Sequence, residues 1–255
     1  GALLPALSSQ IDAREAHAAD QRTRAEAARG ADVGTSARAA PERLARLDAV
    51  AAARQPGLIL VMEHVAHPSN VGAMLRAADA FGVGRAALVR SGTSRLDLGS
   101  VDMRRVSASA SLWVGVDEFD SAEECARALK RRGYVSIGAA LGPSAVSALS
   151  SSGAEMLRSP KLALWVGNEA RGLSDGAIAA LDGFVTIPMA GMVESLNVAA
   201  AAAVLLFEAT RQRATAAAEG GARYELGPEE AEAIRDQLMR SNARLMVAER
   251  AAGGC

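Results

Sequence analysis

Short apolar runs, several of them followed by a stretch long enough for a helix, leave few folds open to this chain. Residues 58–62, 86–89, 112–116, 135–140, 162–166 and 184–187 read as strands, and 162–166 is apolar throughout, as a strongly buried strand should be. Residues 69–81 and 122–131 carry helical patterning, and 195–213 reads as a long helix. This alternation predicts an α/β domain over residues 57–213, with a mainly parallel sheet flanked by helices.

Helical extensions are expected on both sides of it. Residues 41–56 read as an amphipathic helix with Leu44, Leu47 and Val50 on one face, stopping near Gln55-Pro56-Gly57. Ahead of it, residues 1–40 are rich in Ala, Arg and acidic residues and fit either a solvated helix or a flexible segment. Residues 214–255 read as a linker through Glu219-Gly220-Gly221, then a charged helix from Pro228 to Arg250. Its thin stripe of Ile234, Leu238 and Leu245 is expected to dock on the chain's own domain.

Composition narrows the function classes. Aromatic residues are 3% of the chain, which disfavours a surface that stacks bases on rings. A net charge of −1 argues against a basic coat for nucleic acid, though residues 84–106 set Arg85, Arg90, Arg95, Arg104 and Arg105 against Asp97 and Asp102. That segment fits a phosphate contact or a solvated face equally well. Cys125 and Cys255 lie far apart, without ligand spacing, so neither a disulfide framework nor a structural zinc is expected and a reducing compartment fits. No membrane span is expected, because no run of eighteen apolar residues occurs. The chain opens on Gly1, which leaves room for a targeting signal ahead of it; the expected setting is the cytoplasm, or an organelle if such a signal existed.

Three polar segments interrupt this pattern. Pro68-Ser69-Asn70-Val71-Gly72-Ala73-Met74-Leu75-Arg76 follows a strand and opens a helix, with Ser69 or Asn70 as candidate cap. Gly72 and Arg76 share a face, where a bare glycine leaves room for a substrate backbone. A capped helix with a solvated Arg explains the segment as well. Gly167-Asn168-Glu169-Ala170-Arg171-Gly172-Leu173-Ser174 leaves the most apolar strand at its carboxyl end, where α/β sheets bind ligands, and Ser174 is placed to cap the next helix. Ile187-Pro188-Met189-Ala190-Gly191-Met192-Val193-Glu194-Ser195-Leu196-Asn197 runs into an alanine-rich helix that Ser195 is placed to cap. His64 and His67 lack a third ligand, so no metal site is expected, and Gly82-x-Gly84-x-x-Ala87 follows a helix and precedes a strand, the reverse of a dinucleotide-binding turn.

In order and spacing, the three segments resemble the signature motifs of the SpoU/TrmH family of RNA ribose 2′-O-methyltransferases, over about residues 54–213. Arg54-Gln55-Pro56, Glu63-His64-Val65, Met192-Val193-Glu194 and Leu206-Phe207-Glu208-Ala209 with Arg211-Gln212-Arg213 are similar to the branch acting on a D-loop guanosine of tRNA. The resemblance implies S-adenosylmethionine as cofactor, tRNA or, as runner-up, ribosomal RNA as substrate, a homodimer, and a deep trefoil knot toward the C-terminal half of the domain. It implies that Ala139, Leu141, Gly167, Ile187, Met189, Gly191 and Leu196 hold the cofactor. It assigns Arg76 to activating the hydroxyl, Asn70 and Ser195 to positioning it, and Glu169 and Asn197 to shaping the site.

Physical cost refines the role of Arg76. A guanidinium acting as base near neutral pH must release a proton at a cost of roughly 8 kcal/mol. A cation that orients a phosphate and stabilises a developing alkoxide avoids that cost. The rival of another class is a non-catalytic RNA-binding protein on the same fold, which cofactor binding without methyl transfer would reveal.

Overall fold

The computed structural model describes residues 41–90, 96–220, 224 and 227–252. The chain divides into two compact units, 1–44 and 45–255. Of the first, only the opening turn of helix α1 (Pro41–Ala52) is among the described residues, so the expectation for 1–40 lies outside them.

The second unit is built on seven strands: β1 (Leu58–Glu63), β2 (Arg85–Val89), β3 (Gly115–Phe119), β4 (Val135–Ala139), β5 (Val146–Ser147), β6 (Leu162–Val166) and β7 (Gly183–Thr186). They form one sheet in the order β3-β2-β1-β6-β4-β7-β5, and every pairing is parallel. Central β1 and β6 align Leu60 with Leu164 and Met62 with Val166, and every residue of both strands is buried. Alternate side chains feed two cores. Leu58, Leu60 and Met62 pack with Val71, Met74 and Leu75 of α2 (Pro68–Ala80). Ile59 and Val61 pack on the other face with Cys125 and Leu129 of α5 (Ala122–Arg131). Each such aliphatic side chain contributes about 1.5–3 kcal/mol. Burial pushes the Cys125 thiol up to about 12, so that side chain serves the core as an inert thiol.

The remaining helices among the described residues are α3 (Val101–Val106), α4 (Ala110–Trp113), α6 (Ser151–Leu157), α7 (Asp175–Ala180), α8 (Val198–Ala218) and α9 (Pro228–Ala252). The strand expected at 112–116 is displaced: Leu112 and Trp113 belong to α4, and the strand begins at Gly115. Apolar content misled here because β3 is an edge strand whose polar residues carry charge. Asp117 pairs with Arg85, and Glu118 and Asp120 pair with Arg90. Two arginines of the basic segment are therefore neutralised at the sheet edge. Arg95 lies outside the described residues.

Two buried arginines brace the domain. Arg54 donates to Asp79 Oδ1 at 2.8 Å and to the Trp113 carbonyl at 3.1 Å, tying the end of α1 to α2 and α4. Arg213 donates to the carbonyls of Ser159 and Pro56 and stacks on the Tyr224 ring at 4.1 Å. Burial lowers its pKa to about 10, which leaves it charged at neutral pH. The C-terminal stripe docks as expected on its own unit: Leu238 is buried, Ile234 and Leu245 are half-buried, and Arg235 meets Asp48 at 2.6 Å.

Gly72 does not open space for a substrate. A Cβ there would lie 2.6 Å from Val106 Cγ2 and 3.0 Å from the Val106 carbonyl carbon, so the glycine lets α3 close on α2. Gly72→Ala is expected to cost about 1–3 kcal/mol through overpacking, read as a lower urea midpoint at unchanged slope.

Candidate functional site

The carboxyl ends of β1 and β6 lie side by side, so the loops that leave them run next to each other. Six hydrogen bonds stitch these loops together. Glu63, fully buried at the end of β1, accepts from the Ser174 amide at 3.0 Å and from its hydroxyl at 2.5 Å. Asn168 Nδ2 donates to the His64 carbonyl at 2.8 Å, where His64 takes a left-handed conformation with φ of 51°. Glu169 accepts from the Ala66 and His67 amides at 3.1 and 3.3 Å, and from Asn70 Nδ2 at 2.7 Å.

The loop 168–172 is rigid for a local reason. Asn168 and Gly172 exchange backbone hydrogen bonds of 2.8 and 2.9 Å, and Asn168 Oδ1 accepts from the Ala170 and Arg171 amides. Gly172 holds φ of +71°, and a Cβ on Gly167 would collide with the Gly172 backbone. Both glycines are required by this turn. Ser174 caps α7 as the sequence suggests, its hydroxyl accepting from the Ala177 amide at 3.1 Å.

Asn70 is not the cap of α2. His67 occupies that position without a side-chain bond, and Pro68 fills the first turn. Freed from capping, the Asn70 amide reaches two other segments: Nδ2 donates to Glu169, and Oδ1 accepts from Asn197 Nδ2 at 3.1 Å. Asn197 is itself the cap of α8, with Oδ1 accepting from the Ala199 and Ala200 amides at 2.9 and 3.3 Å. The helix expected to start at Ser195 therefore starts at Val198 and runs to Ala218, and Ser195 stands exposed before it. Burial disfavours ionisation of Glu169, but the Asn70 side chain and the Ala66 and His67 amides outweigh it and hold the carboxyl below its usual value of 4.5.

This junction forms one wall of a cavity of about 700 Å³, ample for a nucleoside-sized ligand. Of the candidate residues, Glu169, Ser195 and Asn197 line it, together with Ala139, Leu141, Gly167, Ile187, Met189 and Leu196. Gly191 does not line it, and neither do Asn70 and Arg76. Arg76 lies exposed on α2 without a hydrogen bond or ion pair among the described residues. The sequence reading missed Arg171 and Ile178 in the lining, and missed the Glu63–Ser174 contact altogether. A carboxylate continuing an otherwise apolar strand was the available signal for Glu63. Among the described residues, no three His, Cys, Asp or Glu gather as metal ligands, and no helix is long and apolar enough to cross a membrane.

A parallel sheet, a ligand-sized cavity beyond its strand ends and three motifs joined at one wall define the class. The chain belongs to the SpoU rRNA Methylase family, whose model matches residues 57–207. Over 171 residues it is 37% identical to the tRNA (guanosine(18)-2′-O)-methyltransferase of Thermus thermophilus, covering 67% of this chain and 83% of that one. The A. aeolicus TrmH/SpoU tRNA modifying enzyme is similar in structure, with a TM-score of 0.66 at 27% identity across 79% of this chain and 96% of that one. The SpoU methyltransferase AviRb from Streptomyces viridochromogenes, in complex with AdoMet, matches with a TM-score of 0.53 at 26% identity, across 64% and 62%.

Two outcomes test this wall. Ser174→Ala removes a helix cap and one donor to the buried Glu63 carboxylate, and is expected to cost about 2–3 kcal/mol in urea denaturation. Because the folded pKa of Glu169 is depressed, its stabilisation is fully present above 4.5 and is lost as pH falls through the lower folded value. Glu169→Gln should therefore flatten the acid limb of the stability–pH curve; an unchanged limb would place the titrating group elsewhere.

Proposed function

We propose that this chain transfers the methyl group of S-adenosylmethionine to a ribose 2′-hydroxyl of RNA, with a D-loop guanosine of tRNA as the target. The methyltransfer class and the cofactor follow from family membership. The observation that carries the reading is the Glu169–Asn70–Asn197 chain, which joins the three motifs, with Glu169 and Asn197 lining the cavity. The tRNA substrate is supported by the identity to the Thermus thermophilus enzyme over most of its length. Ribosomal RNA is the second reading, favoured by the family description.

The cavity suits the cofactor. Leu141, Leu173, Ile178, Phe184 and Leu205 supply apolar walls, and the backbone groups of Ala139, Gly167, Ile187 and Leu196, which also line it, are assigned the adenine. When bound, the cofactor supplies an electrophilic methyl. The chain's own residues must then hold the ribose hydroxyl in line and offset the charge it develops. Arg76 is assigned the second task as a cation, Asn70 and Ser195 the positioning, and Glu169 and Asn197 the geometry of the wall.

Two architectural features belong to the same proposal. A trefoil knot is supported by the course of the chain: β7 enters between β4 and β5, and α8 then returns against α2 and β6. A homodimer is supported by an exposed strip of small and apolar residues, Ala73 and Ala80 on α2 with Val204 and Phe207 on α8. Arg76 stands between the two alanines, so a second copy docked there would set its surroundings.

Transfer of labelled methyl from S-adenosylmethionine to unmodified tRNA and to ribosomal RNA tests the whole. Label should enter tRNA, and Arg76→Ala should lower the rate about 100-fold or more. Arg76→Lys should fall well short of wild type, because a point charge cannot replace a planar bidentate group; near-full activity would contradict that. Label in ribosomal RNA alone would move the substrate and keep the chemistry. No label in either, with cofactor bound, would favour the non-catalytic protein.

A further inference from the structure

We propose that the last turn of α3, carrying Arg104 and Arg105, is a landing surface for the RNA backbone beside the target ribose. The inference rests on the RNA-methylating reading above. A chain of net charge −1 cannot hold RNA by overall attraction, so local cations that no protein group neutralises must do it. Half of the described arginines of the basic segment fail that requirement, since Arg85 is paired with Asp117 and Arg90 with Glu118 and Asp120. Arg104 and Arg105 meet it: neither side chain makes a hydrogen bond or ion pair among the described residues, and Arg105 is exposed.

Their position is the second argument. Val106, the next residue, closes on α2 at Gly72, which is two residues from Asn70. The turn therefore packs on α2 just over half a helical turn from Asn70 and the junction of the three motifs. Arg76 lies one turn beyond Gly72 on the same helix and is also unpaired among the described residues. Three guanidinium groups, unpaired among the described residues, thus sit on α2 or on the short helix that packs against it, and a guanidinium fork suits phosphate oxygens.

Basic residues in a last helical turn have an ordinary explanation, since they complement the helix dipole. The protein contains its own control for that. Lys130 and Arg131 sit in the last turn of α5, equally consecutive and both exposed, whereas Arg104 is half-buried; α5 packs on the opposite face of the sheet from α2.

The experiment compares Arg104→Glu/Arg105→Glu with Lys130→Glu/Arg131→Glu, which change net charge equally. Binding of an unmodified tRNA transcript is measured over a range of salt, alongside S-adenosylhomocysteine calorimetry, melting temperature and sedimentation. The α3 variant should bind tRNA at least about tenfold more weakly, with a salt slope flatter by about 1.4 for two lost phosphate contacts. Its cofactor affinity, melting temperature and oligomeric state should match wild type, and the α5 variant should keep its tRNA affinity within about threefold. Equal loss in both variants, or none in the α3 variant, overturns the proposal. So does a change of oligomeric state that tracks the loss, which would make the turn a protein contact. A wild-type chain that binds no tRNA would bring down the reading beneath and the surface with it; one that binds, with the α3 variant unimpaired, brings down the surface alone.

Discussion

One carboxamide holds the functional end of this protein together. Asn70 can donate to Glu169 only through its nitrogen, because a carboxylate accepts and cannot donate. Its oxygen must then face Asn197, whose nitrogen donates and whose own oxygen is left for the amides that open α8. The negative charge on Glu169 thus fixes the direction of every bond in the chain, out to the start of a helix in another motif. Reversing either amide would break at least two bonds at once. A sheet with apolar strands tolerates many sequences, but this line of polar groups tolerates few.

The sheet explains why those groups can meet. β1 and β6 are neighbours and parallel, so their exits coincide at one edge, where backbone groups are no longer consumed by the ladder. Glu63 and Ser174 clamp the two exits at the level of the sheet, and Asn168 and Glu169 continue the clamp outward. Buried Arg54 and Arg213 do comparable work elsewhere, each gathering carbonyls from distant segments. They belonged to the residues most similar to the tRNA branch, yet what they do here is architectural.

Legibility in the sequence followed the physics of each element. The strand at Leu162–Val166 and the helix at Ala122–Arg131 were readable to the residue, because burial on both faces and a capped amphipathic run leave strong patterns. The edge strand β3 was misplaced because its identity depends on charge pairing with β2, which no local pattern carries. Helices α3 and α6 begin at serine caps and are too short for periodicity to register. At the site, the residue types were legible and their bonds were not: Ser195 and Asn70 have good capping chemistry, and only tertiary geometry decides that Asn197 and His67 take those places. Gly72 shows the same limit, since a missing side chain looks alike whether a substrate or a neighbouring helix fills the gap.

The span of the Asn70 bonds bears on how the molecule comes into being. Its partners lie 99 and 127 residues further along the chain. A growing chain that has emerged as far as β6 already owns the strands that pair with β1 on both sides, but it has neither Glu169 nor Asn197. During synthesis the scaffold therefore precedes the completed site by the time needed to make some thirty more residues, and until then Asn70 lacks its Asn197 partner. Premature termination anywhere in that interval yields a chain with most of the scaffold and a site that lacks its third motif.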